Sequence, residues 1–117
     1  MGKEIKKLQE LAIKFRDDRD WKKYHKPKDV VVSAAIEIAE LLERFQWKTD
    51  KEINLELATG KKKEIEEEIA DVIIYLLYLA NDLNIDLEKA IKDKIRKNSE
   101  KYPIEKIKGN YKKYTEL

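Results

Sequence analysis

Residues 64–83 read EIEEEIADVIIYLLYLANDL, and the placement of charge within this stretch decides the fold. At about 100° per residue, Glu64, Glu68, Asp71, Tyr75, Tyr78 and Asp82 fall within roughly 40° either side of one line along a helix. Around that line Ile65, Ile69, Val72, Ile73, Ile74, Leu76, Leu77 and Leu79 cover more than half of the circumference. A helix this apolar is expected to be buried on several sides. Carboxylates on a buried helix are costly unless cations meet them. The acidic line therefore needs a cationic partner, and a metal ion is the first candidate.

A second acidic series lies upstream, in the run IEIAELLE at 36–43. Glu37 and Glu40 are three residues apart, as are Glu68 and Asp71, so each pair shares one helical face. Two such pairs on packed helices give four converging carboxylates, a hard-oxygen site suited to Mg²⁺ or Mn²⁺. The same spacing also describes ordinary solvated surface. Glu37, Glu40 and Glu43 lie opposite the apolar face of Val30, Val31, Ala34, Ala35, Ile38, Leu41, Leu42 and Phe45. The acidic run at 64–68 likewise suits a helix N-terminus. Asp71 is different: it lies two turns inside an apolar helix, is a poor helix former, and has Tyr75 one turn on.

At 117 residues the chain is one domain with room for a modest core. Lys+Arg 26 against Asp+Glu 24 leaves a net charge of only +2. The two signs are interspersed, which argues against a nucleic-acid partner. Cysteine is absent, so there is neither a disulfide framework nor a thiolate metal site. MGKEIKKLQEL at the start lacks an uninterrupted apolar h-region, and the apolar run at 72–80 is too short to span a bilayer. A cytoplasmic protein with no membrane partner is the expectation.

Helical periodicity predicts four helices. The first covers about 3–18, with Ile5, Leu8, Leu11, Ala12 and Phe15 as its stripe. The charged run RDDRD at 16–20 is expected to begin a connection outside the core. Pro27 suits a first helical position, which starts the second helix near 27 and carries it to about 47. Residues 48–63 read as a polar connection in which Ile53, Leu55 and Leu57 form a short turn. The third helix is the opening stretch. The fourth, about 87–102, is capped by Asp86 and stopped by Pro103. Residues 104–117 form a Lys/Tyr-rich tail, mobile or docked on a neighbouring subunit, beyond a domain at 1–103.

Several chemistries are excluded. With His25 as the one histidine, a conventional zinc site is not built, nor is the Glu-x-x-His pattern of di-iron bundles. No GxxxxGK[ST] or GxGxxG loop occurs, so phosphates would be held by metal and lysine rather than by a glycine-rich loop. Trp21 and Trp47 fall near helix ends, where a ring stacks on a base as readily as it fills a core or an interface.

These residues carry a resemblance. Tyr24-His25-Lys26-Pro27-Lys28, then Glu37-x-x-Glu40-x-x-Glu43-x-Phe45-Gln46-Trp47-Lys48, then Glu67-Glu68-x-x-Asp71-Val72-x-Ile74-Tyr75-Leu76 resemble the MazG-like all-α nucleoside triphosphate pyrophosphohydrolases. The FQWK and EExxDVxIYL segments look most like the dCTP pyrophosphatase branch, and the similarity spans about residues 5 to 103. The resemblance implies a four-helix bundle assembling as a dimer or dimer of dimers. It implies Glu37, Glu40, Glu68 and Asp71 as Mg²⁺ ligands, and Lys94 and Asn98 as groups reaching toward the phosphates. Trp21, Trp47 and Tyr75 match aromatic positions of the nucleotide site, with His25 and Tyr102 also assigned to substrate. Two positions depart from the pattern. Ile36 stands where the wider superfamily begins a Glu-Glu doublet, so Glu43 or Glu67 becomes the candidate base. Ala12 stands where mammalian members of the dCTP branch tend to have histidine, a departure that bears on the cytosine preference more than on the chemistry.

The reading is a Mg²⁺-dependent (Mn²⁺-compatible) pyrophosphohydrolase that converts a (d)NTP, such as dCTP or a modified dCTP, to (d)NMP and pyrophosphate. Its role would be nucleotide-pool house-cleaning. The alternatives are an enzyme of the same fold acting on another nucleotide, such as dUTP or a phosphoribosyl-ATP intermediate, and a non-catalytic helical interaction module.

Overall fold

The computed structural model describes residues 2–111 and Thr115. Its order is α1 (Gly2–Asp18), a 3-10 turn (Lys22–Tyr24), α2 (Pro27–Glu43), α3 (Asp50–Ala58), α4 (Lys62–Asp82), α5 (Leu87–Lys101) and the short α6 (Ile104–Ile107). The all-α expectation holds, with no strand among the described residues. Five helices of nine or more residues replace the expected four. The additional one, α3, occupies the stretch read as a polar connection. Its signal is a cap: at a Thr-x-x-Glu capping-box pattern, Thr49 Oγ1 accepts from the Glu52 N–H and donates to the Glu52 carboxylate, an N-cap that starts a helix. Gly60, with φ 102°, turns the chain from α3 into α4.

Helix α4 is the axis of the molecule. It packs most extensively against α2, and α1 and α3 also lie on it. The core joins Ala12 of α1, Val30 of α2 and Tyr78 of α4, with Ile13, Ile74, Tyr75 and Leu79 packed around them. Helix α2 ends at Glu43 rather than near 47. The chain tightens through Phe45 N–H→Leu42 O and Gln46 N–H→Leu42 O bonds, and Trp47 takes a φ of 66°, which a bulky side chain rarely adopts. Helix α1 closes with Trp21 N–H donating to Arg16 O at 3.1 Å across a left-handed Asp20. This C-terminal motif folds Trp21 back onto Phe15, their rings edge-on at 5.7 Å.

Asp17 to Asp20 of the RDDRD run are exposed, as expected, but Arg16 is not. Arg16 is 1 % exposed and its guanidinium grips the Asp82 carboxylate with two bonds, Nη1–Oδ2 2.7 Å and Nη2–Oδ1 2.9 Å. A charge is stable there because the fork of arginine matches a carboxylate. The acidic line of α4 therefore divides. Asp82 at its C-terminal end is answered by an arginine, and a metal ion is not needed there. Of the expected tail, residues 104–107 form α6, while 112–114, 116 and 117 lie outside the described residues.

Candidate functional site: a carboxylate cluster beside an aromatic cleft

The packing of α2 on α4 puts Glu37 within electrostatic reach of Glu40, Glu68 and Asp71. Glu37 on α2 is half-buried, and its Oε2 is buried with no hydrogen-bond partner. Burial pushes the Glu37 carboxyl above its ordinary range, and the neighbouring Glu40 and the charges of Asp71 and Glu68 push it the same way. All four predicted metal ligands thus share one electrostatic neighbourhood. Glu68 Oε2 is the second buried carboxylate oxygen without a partner in this cluster. Among the described residues no three acidic or histidine side chains are already drawn together as a ligand set. Two orphaned hard oxygens in a concentration of negative charge nevertheless fit a divalent cation with oxygen preference.

Against the other side of Asp71 opens a cleft of about 710 Å³ between α1 and α4. Its wall is mostly apolar and aromatic: Leu11, Ala12, Phe15, Trp21, Ile74, Tyr75 and Tyr78 contribute, with His25 at its polar edge. The His25 ring meets Tyr78 at 5.4 Å and Tyr75 at 6.1 Å. Burial first, then the charge of Arg16, holds the imidazole below its ordinary pKa, so His25 is neutral near pH 7. Its Nδ1 is buried without a partner. Arg16 stands 4.9 Å from the centre of the Tyr78 ring, so the buried ion pair underlies the cleft floor. Concave, largely apolar pockets with a few polar groups at the rim are the usual form of small-molecule sites.

The other sequence-predicted residues fall into two sets. Trp21, His25 and Tyr75 line the cleft. Trp47 is 91 % exposed and does not line it. Lys94 and Asn98 are exposed on α5, and Tyr102 is half-buried at the end of that helix; none of the three lines the cleft. Glu43 and Glu67 are exposed on α2 and α4. Sequence reasoning missed Arg16, Asp82 and Tyr78 as the support of the cleft. Arg44 was missed as well; its guanidinium binds Glu64 and Glu68.

A family model described as MazG-like matches residues 32–117. The proteins named dCTP pyrophosphatase 1 from Rattus norvegicus and Homo sapiens are each 34% identical over 114 residues, covering 97% of this chain and 67% of theirs. A crystal structure of a pyrophosphatase from Archaeoglobus fulgidus is 47% identical with a TM-score of 0.77, over 86% of this chain and 93% of that one.

Proposed function

The chain belongs to the MazG-like family, and we propose that it is a divalent-cation-dependent nucleoside triphosphate pyrophosphohydrolase. The observation that carries this reading is the place of Asp71. It borders the aromatic cleft and adds its charge to the cluster containing Glu37 and Glu68. A base seated in the cleft would put its triphosphate at the carboxylates.

Glu37, Glu40, Glu68 and Asp71 would hold Mg²⁺ or Mn²⁺, which supplies Lewis acidity toward phosphate oxygens and water. Trp21 and Tyr75 offer faces for base stacking, and neutral His25 offers a ring nitrogen at the edge of the cleft. Holding the base fixes the α-phosphorus relative to the carboxylates, which is the positional part of catalysis. Water oxygen attacks that phosphorus, the α–β anhydride bond breaks, and pyrophosphate leaves with the bridging oxygen. The water proton passes to a carboxylate on the same helix pair, Glu43 or Glu67. The substrate is a (d)NTP, with dCTP or a ring-modified dCTP the first choice. Ala12 supports the modified base, since a methyl group in the cleft wall leaves volume beside the ring.

The products test this reading. Equal amounts of pyrophosphate and nucleoside monophosphate are expected, with oxygen from labelled water in the monophosphate. A nucleoside diphosphate with orthophosphate, or no turnover of any (d)NTP in a full panel with Mg²⁺ or Mn²⁺, refutes it.

The active assembly is proposed to contain at least two copies of the chain. The chain exposes 9563 Å², against about 6,700 Å² for a folded monomer of this mass. Its radius of gyration is 17.8 Å, where a compact domain of this length has about 13 Å. The excess includes apolar side chains on the central helices, with Leu42 62 % exposed and Ile69, Ile73 and Leu76 also open. Trp47, Lys94 and Asn98, remote from the cleft of their own chain, would then face the cleft of another copy. Light scattering at micromolar concentration is expected to give a dimer or larger; an active monomer removes this part of the reading.

A further inference from the structure

Arg44 is the residue that closes α2, and its guanidinium reaches across to α4. Nη1 donates to Glu64 Oε2 at 2.6 Å. Nη2 and Nε both donate to Glu68 Oε1, at 3.1 and 3.3 Å. Glu64 and Glu68 are one helical turn apart on one face, so the planar fork spans both. The two oxygens of Glu68 are treated differently. Oε1 takes both arginine bonds, while Oε2 is buried and has no partner.

A cationic side chain beside an acidic cluster has two possible effects on an incoming cation. If it occupied the inward oxygen it would compete. Here it occupies the other one, and pinning Oε1 leaves Oε2 as the buried, unpartnered oxygen of a carboxylate whose charge Glu37 feels. Hydrogen bonds of this kind to a ligating carboxylate commonly set its orientation. Glu64 completes the arrangement by anchoring the far side of the guanidinium.

We propose that Arg44 is a positioning residue: it holds Oε1 of Glu68 so that Oε2 is presented to a divalent cation. The proposal rests on the cation-binding reading of the carboxylate cluster, and the test separates the two. Mn²⁺ binding to the full chain is measured by electron paramagnetic resonance for wild type, Arg44→Met and Arg44→Lys. The melting temperature of each in EDTA is taken alongside.

Arg44→Met is expected to weaken Mn²⁺ binding by about tenfold or more, the usual effect of losing such a support. Arg44→Lys is expected to recover only part of this, because an ammonium keeps the charge but not the fork. A purely structural role would lower the melting temperature of the metal-free chain and leave the Mn²⁺ affinity of the folded protein unchanged. Unchanged or tighter Mn²⁺ binding by folded Arg44→Met overturns the proposal and makes Arg44 a bystander or a competitor. If Arg44→Met does not fold, Arg44→Lys decides: affinity equal to wild type overturns the proposal. Failure of the wild type to bind Mn²⁺ overturns the cation-binding reading itself, and the proposal with it.

Discussion

Glu68→Gln and Asp71→Asn are each expected to lower turnover by about a thousandfold or more, the several kcal/mol that a correctly held cation contributes to phosphate chemistry. The two residues are near-isosteric with their replacements, so the loss falls on charge rather than on shape. Glu68 supplies a buried oxygen with no partner, and Asp71 stands where cluster and cleft meet. Both changes are expected to leave helicity intact. Removing one of several like charges relieves repulsion on Glu37, so the metal-free Asp71→Asn chain is expected to be no less stable than wild type. Glu68→Gln also loses its ion pairs with a partly exposed Arg44, an interaction of at most about 1 kcal/mol. Circular dichroism and melting in EDTA separate the two effects from turnover. Near wild-type activity of either variant at saturating Mg²⁺ would show that the carboxylates have been assigned the wrong role.

The carboxylate pairs were legible in the sequence because spacing alone puts Glu37 with Glu40, and Glu68 with Asp71, on single helical faces. Only the packing of α2 on α4 decides that the faces meet. The Arg16–Asp82 pair was not legible. Charge density across 16–20 argues for solvent, and nothing local shows that one of five charged residues faces inward 66 positions away from its partner. Helix α3 was overlooked because Ile53, Leu55 and Leu57 alternate by two rather than by three and four. The Thr49–Glu52 capping box was the better signal. Trp47 shows a different limit: its motif assigns it to the nucleotide site, but a positive φ at this residue leaves the ring exposed outside the cleft of its own chain.

The site joins two environments with opposite demands. The carboxylate cluster is destabilising in the metal-free chain, since Glu37 ionises against burial and three neighbouring carboxylates. The cleft is apolar and half-open, and its floor needs a rigid support that does not depend on a ligand. Arg16 and Asp82 provide that support at the opposite end of the α4 acidic line. One helix thus carries a charge series whose C-terminal end pairs with Arg16 and whose N-terminal end pairs with Arg44, with Asp71 between them as the residue proposed to meet a cation.

Asp82→Asn is accordingly expected to cost about 3–5 kcal/mol, the usual effect of breaking a buried pair from one side. Arg16 is 1 % exposed and its guanidinium lies 4.9 Å from the centre of the Tyr78 ring. Its Nε has no hydrogen bond and meets only the Asp17 carboxylate at 3.8 Å, so the two bonds to Asp82 are the main compensation for its desolvation. An asparagine oxygen can accept one of those bonds but leaves the guanidinium charge buried. Replacing both partners, Arg16→Met with Asp82→Leu, is expected to recover much of the loss, because the double variant strands no charge. Urea midpoints at fixed subunit concentration give these values. The pH dependence supplies a second signature. Bonding to Arg16 holds the Asp82 carboxyl below its ordinary 3.8. Its contribution is therefore complete above that value and is lost as pH falls through the depressed one. His25, facing Arg16, Asp82, Tyr75 and Tyr78, is also held below its ordinary 6.5. Stability therefore falls on acidification through the window below 6.5, where the unfolded chain takes up the proton first. Glu37 runs in the opposite sense, so the Asp82 contribution is read as the difference between wild type and Asp82→Asn. That difference should widen on acidification below 6.5, because without the Asp82 charge the His25 imidazole is held lower still, and then shrink below about pH 4. A loss under about 1 kcal/mol at neutral pH would mean that water reaches Arg16, and that the cleft floor is held by the aromatic rings alone.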